Sequence, residues 1–268
     1  MGLACLAGYA LAKPPQLDAA RLQTDSLKEN RASAAAPGSA ASAARPKALS
    51  GWSSTGQRLK PGEAAERFNL KNRLVEFDEH GKRSVRVVEG DLRIDGNLLL
   101  DWEEGFGSQG LVVTGELAVN GSIINAEGDY GPFLLVGGRT RAHAIVGGGS
   151  QLFFEGDVQV AEIVIGHYNH GSLVFKSNLT APVVVSMDHH LEVRGKLDGR
   201  WFDDCPSWAF FLDMRRPGLS DMQKDEWEGL QNGLIPLLKN RQSVLRADLP
   251  PKEKLAAACT ARHGNSKP

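Results

Sequence analysis

Five of the seven histidines fall between positions 143 and 190, and four of them sit in two short segments. The first segment is Gly166-His167-Tyr168-Asn169-His170-Gly171 and the second is Met187-Asp188-His189-His190. Imidazoles beside a carboxylate can ligate zinc or iron. They can also move protons as general acid and base. With Tyr168 and Asn169 they can instead form a polar surface that a ligand or protein partner recognises. The plainest role is a hydrogen-bonded bend. The chain contains no H-E-x-x-H, no nucleophile elbow and no P-loop, so no residue is assigned as catalytic or metal-ligating and no cofactor is called for. The seven residues His167, Tyr168, Asn169, His170, Asp188, His189 and His190 are the candidate binding set.

Other reactive groups carry less. Asp101, Glu103 and Glu104, then Glu127 and Asp129, could supply paired carboxylates to a carbohydrate-cleaving β-helix. They fall in long loops, where a solvated role is expected. Gly147-Gly148-Gly149-Ser150 is glycine-rich, but no lysine follows and no helix is predicted after it, so it is not read as a phosphate cradle. No C-x-x-C occurs. If the first 12 residues are removed, Cys205 and Cys259 remain as an even pair and a candidate disulfide; otherwise they are two free thiols.

The elements that must position these groups form a repeat over residues 84–200. Short apolar strands align on a small residue at positions 90, 115, 138, 156, 177 and 195, glycine in five of six copies. A second Val/Ile/Leu strand follows most anchors, as in Glu162-Ile163-Val164-Ile165 and Pro182-Val183-Val184-Val185. A sharp corner needs a residue that tolerates positive φ or close backbone approach. One such unit cannot bury its own apolar face, but stacked units can, which predicts a mainly β protein built on a β-solenoid of about six short coils. An antiparallel sandwich also has short strands, but gives no reason for the same corner to recur. Counted from their anchors, His167 and His170 stand at +11 and +14, Asp188 and His190 at +11 and +13. That places the two histidine segments in neighbouring coils at one corner.

The run Gly90-Asp91-Leu92-x-Ile94-Asp95-Gly96-Asn97-Leu98, echoed as Gly115-Glu116-Leu117-x-Val119-Asn120-Gly121-Ser122-Ile123, resembles the polymer-forming, bactofilin-like β-helix proteins of bacteria. It is also similar to solenoid proteins found beside bacterial toxins, some of them immunity proteins. The resemblance implies scaffolding or binding and no catalysis. Bactofilin-like chains leave their solenoid ends open for end-to-end polymerisation, whereas this chain continues past its last coil.

Composition bounds the rest. The chain has 268 residues, 24% charged and 41% hydrophobic, with a net charge of -1. That balance gives no bulk pull toward nucleic acid. No run reaches the roughly 18 apolar residues of a membrane helix, so no integral span is expected. Residues 3–12 are apolar and end in Ala10-Leu11-Ala12, an export-signal cleavage pattern, although no basic residue precedes them. A periplasmic or secreted location follows if that signal operates, a cytoplasmic one otherwise. Residues 1–60 read as signal remnant and disordered Ala/Ser/Pro linker, and 61–83 as a helix from Pro61 to about Asn72 with a lead-in. Residues 201–268 read as an aromatic and helical cap over the solenoid's open end. There Ser220 opens a helix with Gln223 in a capping box, Asn232-Gly233 stops it, and further helices start at Pro236 and about Lys252. The leading expectation is a non-catalytic scaffold or protein-binding solenoid that engages a protein partner or itself. An immunity or adaptor protein is the alternative, and a metal-assisted hydrolase or carbohydrate-active β-helix using the histidines is the third.

Overall fold

The computed structural model describes residues 55–102, 107–203 and 208–249. The candidate export signal, most of the linker, Glu103, Glu104, the candidate disulfide pair Cys205 and Cys259, and the helix expected near Lys252 lie outside them.

The chain first lays down strand β1 (Gln57–Leu59) and helix α1 (Pro61–Phe68). Strand β1 begins inside the segment expected to be linker. Helix α1 stops early because Asn69 turns left-handed at φ 50°, and Leu70–Asn72 continue as a 3-10 turn. The repeat then winds as three short strands per coil. The first coil is β2 (Val85–Val88), β3 (Leu92–Ile94) and β4 (Leu98–Leu99); the second is β5 (Gly110–Val113), β6 (Leu117–Val119) and β7 (Ile123–Ile124). The third is β8 (Phe133–Val136), β9 (Thr140–Ala142) and β10 (Ile145–Gly147); the fourth is β11 (Gln151–Phe154), β12 (Val158–Val160) and β13 (Ile163–His167). In the last two coils the second and third strands merge: β14 (Ser172–Phe175) with β15 (Leu179–Met187), then β16 (His190–Val193) with β17 (Leu197–Asp203).

Coil stacks on coil in parallel, giving a β-solenoid of about five turns. The register holds apolar residues of like kind over one another. Leu111, Leu134, Leu152, Leu173 and Leu191 form one inward column, and Val113, Val136, Phe154, Phe175 and Val193 the next. These columns are the solenoid core. Gly90 is needed for its positive φ of 85°, and the later anchor glycines serve this stacking. At Gly138 a Cβ would lie 2.5 Å from the Gly115 carbonyl carbon, so close approach between coils, not backbone sign, demands glycine there. The following acidic residue ties coil to coil: Asp91 accepts from Glu116 N–H at 2.7 Å, and Asp157 from the Ser177 hydroxyl at 2.6 Å.

Two of the three outer faces are covered. Leu59, Ala64, Leu70 and Leu74 pack on the outward side of β2, β5, β8, β11 and β14, through Val87, Val112, Leu135, Phe153 and Val174. The C-terminal region, expected as a cap, covers a second face through its described residues. Phe211, Leu219, Met222, Leu230, Leu234 and Leu238 pack along the flank made by Ile124, Val146, Ile165, Val185 and Phe202. The reason is that this outward column is itself apolar and spans several coils, so it offers a continuous surface to bury. Within this layer Ser220 belongs to a 3-10 turn, and the helix cap is Asp225, whose Oδ1 accepts from Glu228 N–H at 2.9 Å. Helix α2 (Glu226–Gly229) runs through a π-turn at Leu230–Leu234 into helix α3 (Ile235–Lys239), so Asn232-Gly233 does not stop it. Gly233 is there because its Cα lies against Gly218, where a Cβ would meet the carbonyl oxygen at 2.3 Å. No helix among the described residues is long and apolar enough to cross a membrane.

Candidate binding surface

The third corner of the solenoid is built from stacked loops, residues 125–131, 147–150, 166–171 and 186–190. Asn125 and Asp101 hold the first of these. Asn125 donates to Leu100 O at 2.9 Å and to Asp101 Oδ1 at 2.7 Å, and its Oδ1 accepts from Ser150 N–H at 2.8 Å. Asp101 Oδ1 also accepts from Ala126 and Glu127 N–H. Its burial raises the carboxyl pKa; the hydrogen bonds and the neighbouring Glu127 are smaller influences. The glycine run at 147–149 is a stacking device: a Cβ on Gly148 would lie 2.2 Å from Glu127 O, and one on Gly149 2.4 Å from Asp129 O.

The histidines do not converge. His167 ends β13 and is 3% exposed, with neither ring nitrogen bonded. Its ring meets the Trp227 ring edge-on at 5.6 Å. Desolvation, aided by nearby His189 and only partly opposed by the Asn125 backbone, lowers its pKa to about 4. His189 is also buried, and burial lowers its pKa. Its Nδ1 lies 2.7 Å from Tyr168 O; a carbonyl can only accept, so Nδ1 carries the proton and Nε2 is the unpartnered nitrogen. Asp188 and His190 are exposed and point the set apart: His190 opens β16 in register with Ser172.

The expected stacking of Asp188 on His167 is off by one residue. Gln159 faces Thr180, but Ile163 faces Val183, because the corner in the fifth coil is one residue shorter. His167 therefore stacks on Met187. Among the described residues no three His, Cys, Asp or Glu side chains gather as a metal set.

What does gather is a row of rings. Tyr130 stacks on His170 at 5.2 Å, Tyr168 meets His170 edge-on at 5.0 Å, and Trp227 lies 6.4 Å from Tyr168. Tyr130 is 55% exposed, Trp227 47% and Tyr168 39%; these are three of the five exposed large apolar side chains among the described residues. Asp129 joins the row, accepting from the Tyr168 hydroxyl at 3.3 Å and lying 3.6 Å from His170 Nδ1. Its negative charge raises the Tyr168 pKa. Tyr168 itself sits at φ 74°, a left-handed conformation that costs about 1 kcal/mol in a non-glycine residue. Asn169 is exposed at the tip.

Of the residues the sequence pointed to, Tyr168 and His170 lie in this row and His167 is buried beneath Trp227; Tyr130, Asp129 and Trp227 were missed. Asp129 stood in a loop read as solvated, and Trp227 in the helix expected after Ser220, far from the histidines in sequence. Comparison with protein-family models, with curated proteins and with solved structures finds no match for this chain.

Proposed function

We propose that this chain is a non-catalytic, partner-binding β-solenoid whose contact surface is the ring row Tyr130–His170–Tyr168–Trp227 with Asp129. The carrying observation is that three of the five exposed large apolar side chains among the described residues stand together at one corner. Exposed tyrosine and tryptophan on a rigid support are what binding hot spots are made of, each worth about 2 kcal/mol or more when truncated. The strain held at Tyr168 supports the same reading, since it turns an aromatic ring outward where glycine would cost less. His167 lies beneath Trp227 and His189 is tied to Tyr168 O, so neither is placed to reach a substrate.

Between the bactofilin-like scaffold and the adaptor or immunity protein, the N-terminal end favours the second. Strand β1 pairs antiparallel with β2 through Gln57–Val87, Arg58–Arg86 and Leu59–Val85, and so occupies the edge that a preceding copy would use.

The test is binding by purified full chain. Partners captured by the wild type are identified, purified and titrated one to one against Tyr130→Ala, Trp227→Ala and, as control, Trp201→Ala, an exposed tryptophan elsewhere. Loss of affinity in the first two alone supports the reading; equal affinity in all four proteins removes it.

A further inference from the structure

We infer that the segment this surface takes is cationic: an arginine- or lysine-bearing stretch of a protein partner, its charged head against Asp129 and its stem across the Tyr168 and Trp227 rings. The inference rests on the partner-binding reading of the same surface and adds the chemistry of what binds.

The first argument is local charge. The chain as a whole is nearly balanced, with 31 Lys and Arg against 32 Asp and Glu. The four segments that build the surface, residues 125–131, 166–171, 186–190 and 225–231, hold six carboxylates and no Lys or Arg. Along the chain they neighbour the rings, although three are already engaged: Glu226 Oε1 accepts from Trp208 Nε1 at 2.6 Å, Asp225 Oδ1 from Glu228 N–H at 2.9 Å and Glu127 Oε2 from Trp102 N–H at 3.1 Å. Glu127 and Asp129 flank Gly128, where a Cβ would meet Trp227 at 3.2 Å and Tyr168 at 3.4 Å. Glu226 and Glu228 flank Trp227, and Asp188 precedes the His189 that holds Tyr168. The nearest lysine along the chain, Lys224, is paired with Asp221 at 2.8 Å.

The second argument is the state of Asp129. Its side chain is 82% exposed, and both of its contacts go to one oxygen, Oδ1. No described residue bonds Oδ2, which leaves an acceptor beside the rings. The third argument is ring geometry. Tyr130 and His170 are nearly parallel at 17°, but Tyr168 stands at 81° to His170 and at 52° to Trp227, so Tyr168 and Trp227 form no flat platform of the kind a sugar ring stacks on. Tilted aromatic faces beside a carboxylate suit a guanidinium or ammonium, which is drawn to both.

The experiment titrates the full chain, by calorimetry and tryptophan fluorescence, with a twelve-residue Arg/Ser peptide. The comparison probes are a citrulline/Ser peptide of the same length, an Asp/Ser peptide and a chitin hexasaccharide. The proteins are wild type, Trp227→Ala, Asp129→Asn and Trp201→Ala, each checked for unchanged thermal unfolding. The expected result is saturable binding of the arginine peptide to wild type and Trp201→Ala. Affinity should fall at least about tenfold in Trp227→Ala and about fivefold in Asp129→Asn, and weaken with added salt. The inference is overturned if the arginine peptide does not saturate, or binds all four proteins alike. Binding of the citrulline peptide or the hexasaccharide that Trp227→Ala abolishes would overturn it too, while leaving the surface as a binding site.

Discussion

His167 is a buried imidazole without a hydrogen bond, and its cost is visible in its titration. The folded pKa of about 4 lies below the ordinary 6.5, so the unfolded chain binds more protons than the native one between those values. Stability is therefore full above pH 6.5 and is lost as pH falls toward 4, by about 3 kcal/mol from this group alone. Burial of His189 acts in the same direction. His167→Leu removes the titration and leaves no unpartnered nitrogen, so it should match or exceed wild type at pH 7 and flatten the fall between pH 6.5 and 4. Thermal unfolding across that range checks it; an unchanged slope in His167→Leu would show that the acid sensitivity lies elsewhere. At this scale the sequence revealed residue types but not their states. The two histidine segments do share a corner. Which of them are buried depends on one missing residue in the fifth coil and on Trp227 arriving from the C-terminal layer, and neither is written near the histidines.

Strand pattern told more than was read from it. The strands β3, β9 and β12 alternate buried and exposed, as in Val158-Gln159-Val160, whereas β5, β8, β13 and β14 are buried on both sides. A continuous apolar strand in a parallel sheet requires cover on both faces. Runs such as Ile163-Val164-Ile165 therefore already call for a lateral layer. That layer is held by Glu162, buried at the start of β13, whose Oε1 accepts from the Ser243 hydroxyl at 2.7 Å and from Val244 and Leu245 N–H at 2.6 and 2.9 Å. Glu162→Ala strands the buried Val244 N–H and the half-buried Leu245 N–H and should cost about 2 to 4 kcal/mol. The loss should be local: hydrogen exchange should accelerate at Val244, Leu245 and the helices of the layer, and not in β5, β8 or β11. Uniform acceleration would mean that layer and solenoid unfold as one. The loops obey a similar logic. Gly148→Ala forces Glu127 away from the new Cβ, so it should both destabilise the fold and weaken partner binding through displaced Asp129 and Tyr130.

A parallel solenoid ends in edges, and the whole molecule treats its two ends differently. The repeat and the mainly β class were legible because similar apolar residues must stack to bury one another, whereas the register slipped by one residue at the fifth coil. The treatment of the ends was not legible, because it is made by residues outside the repeat. At the first coil, β1 takes the outer hydrogen bonds of β2. Arg86 stands in the inward column where every later coil in that register places leucine, almost fully buried and with its pKa lowered by desolvation and by neighbouring Arg58. At the last coil, among the described residues, β16 and β17 pair only with β14 and β15. Head-to-tail growth would have to displace β1 and set Leu191 of one copy on the guanidinium of Arg86 in the next. Both are costly, the second because it buries a charge against an apolar column. The wild-type chain should therefore sediment as a species that does not grow into filaments as concentration rises. Arg58→Pro with Arg86→Leu removes both barriers at once: proline disrupts the short β1 strand, and leucine completes the column. That double variant should associate in a concentration-dependent manner, with each single variant closer to wild type. Filaments in the wild type would overturn the reading of β1 and Arg86 as stops and return the bactofilin-like scaffold to the front.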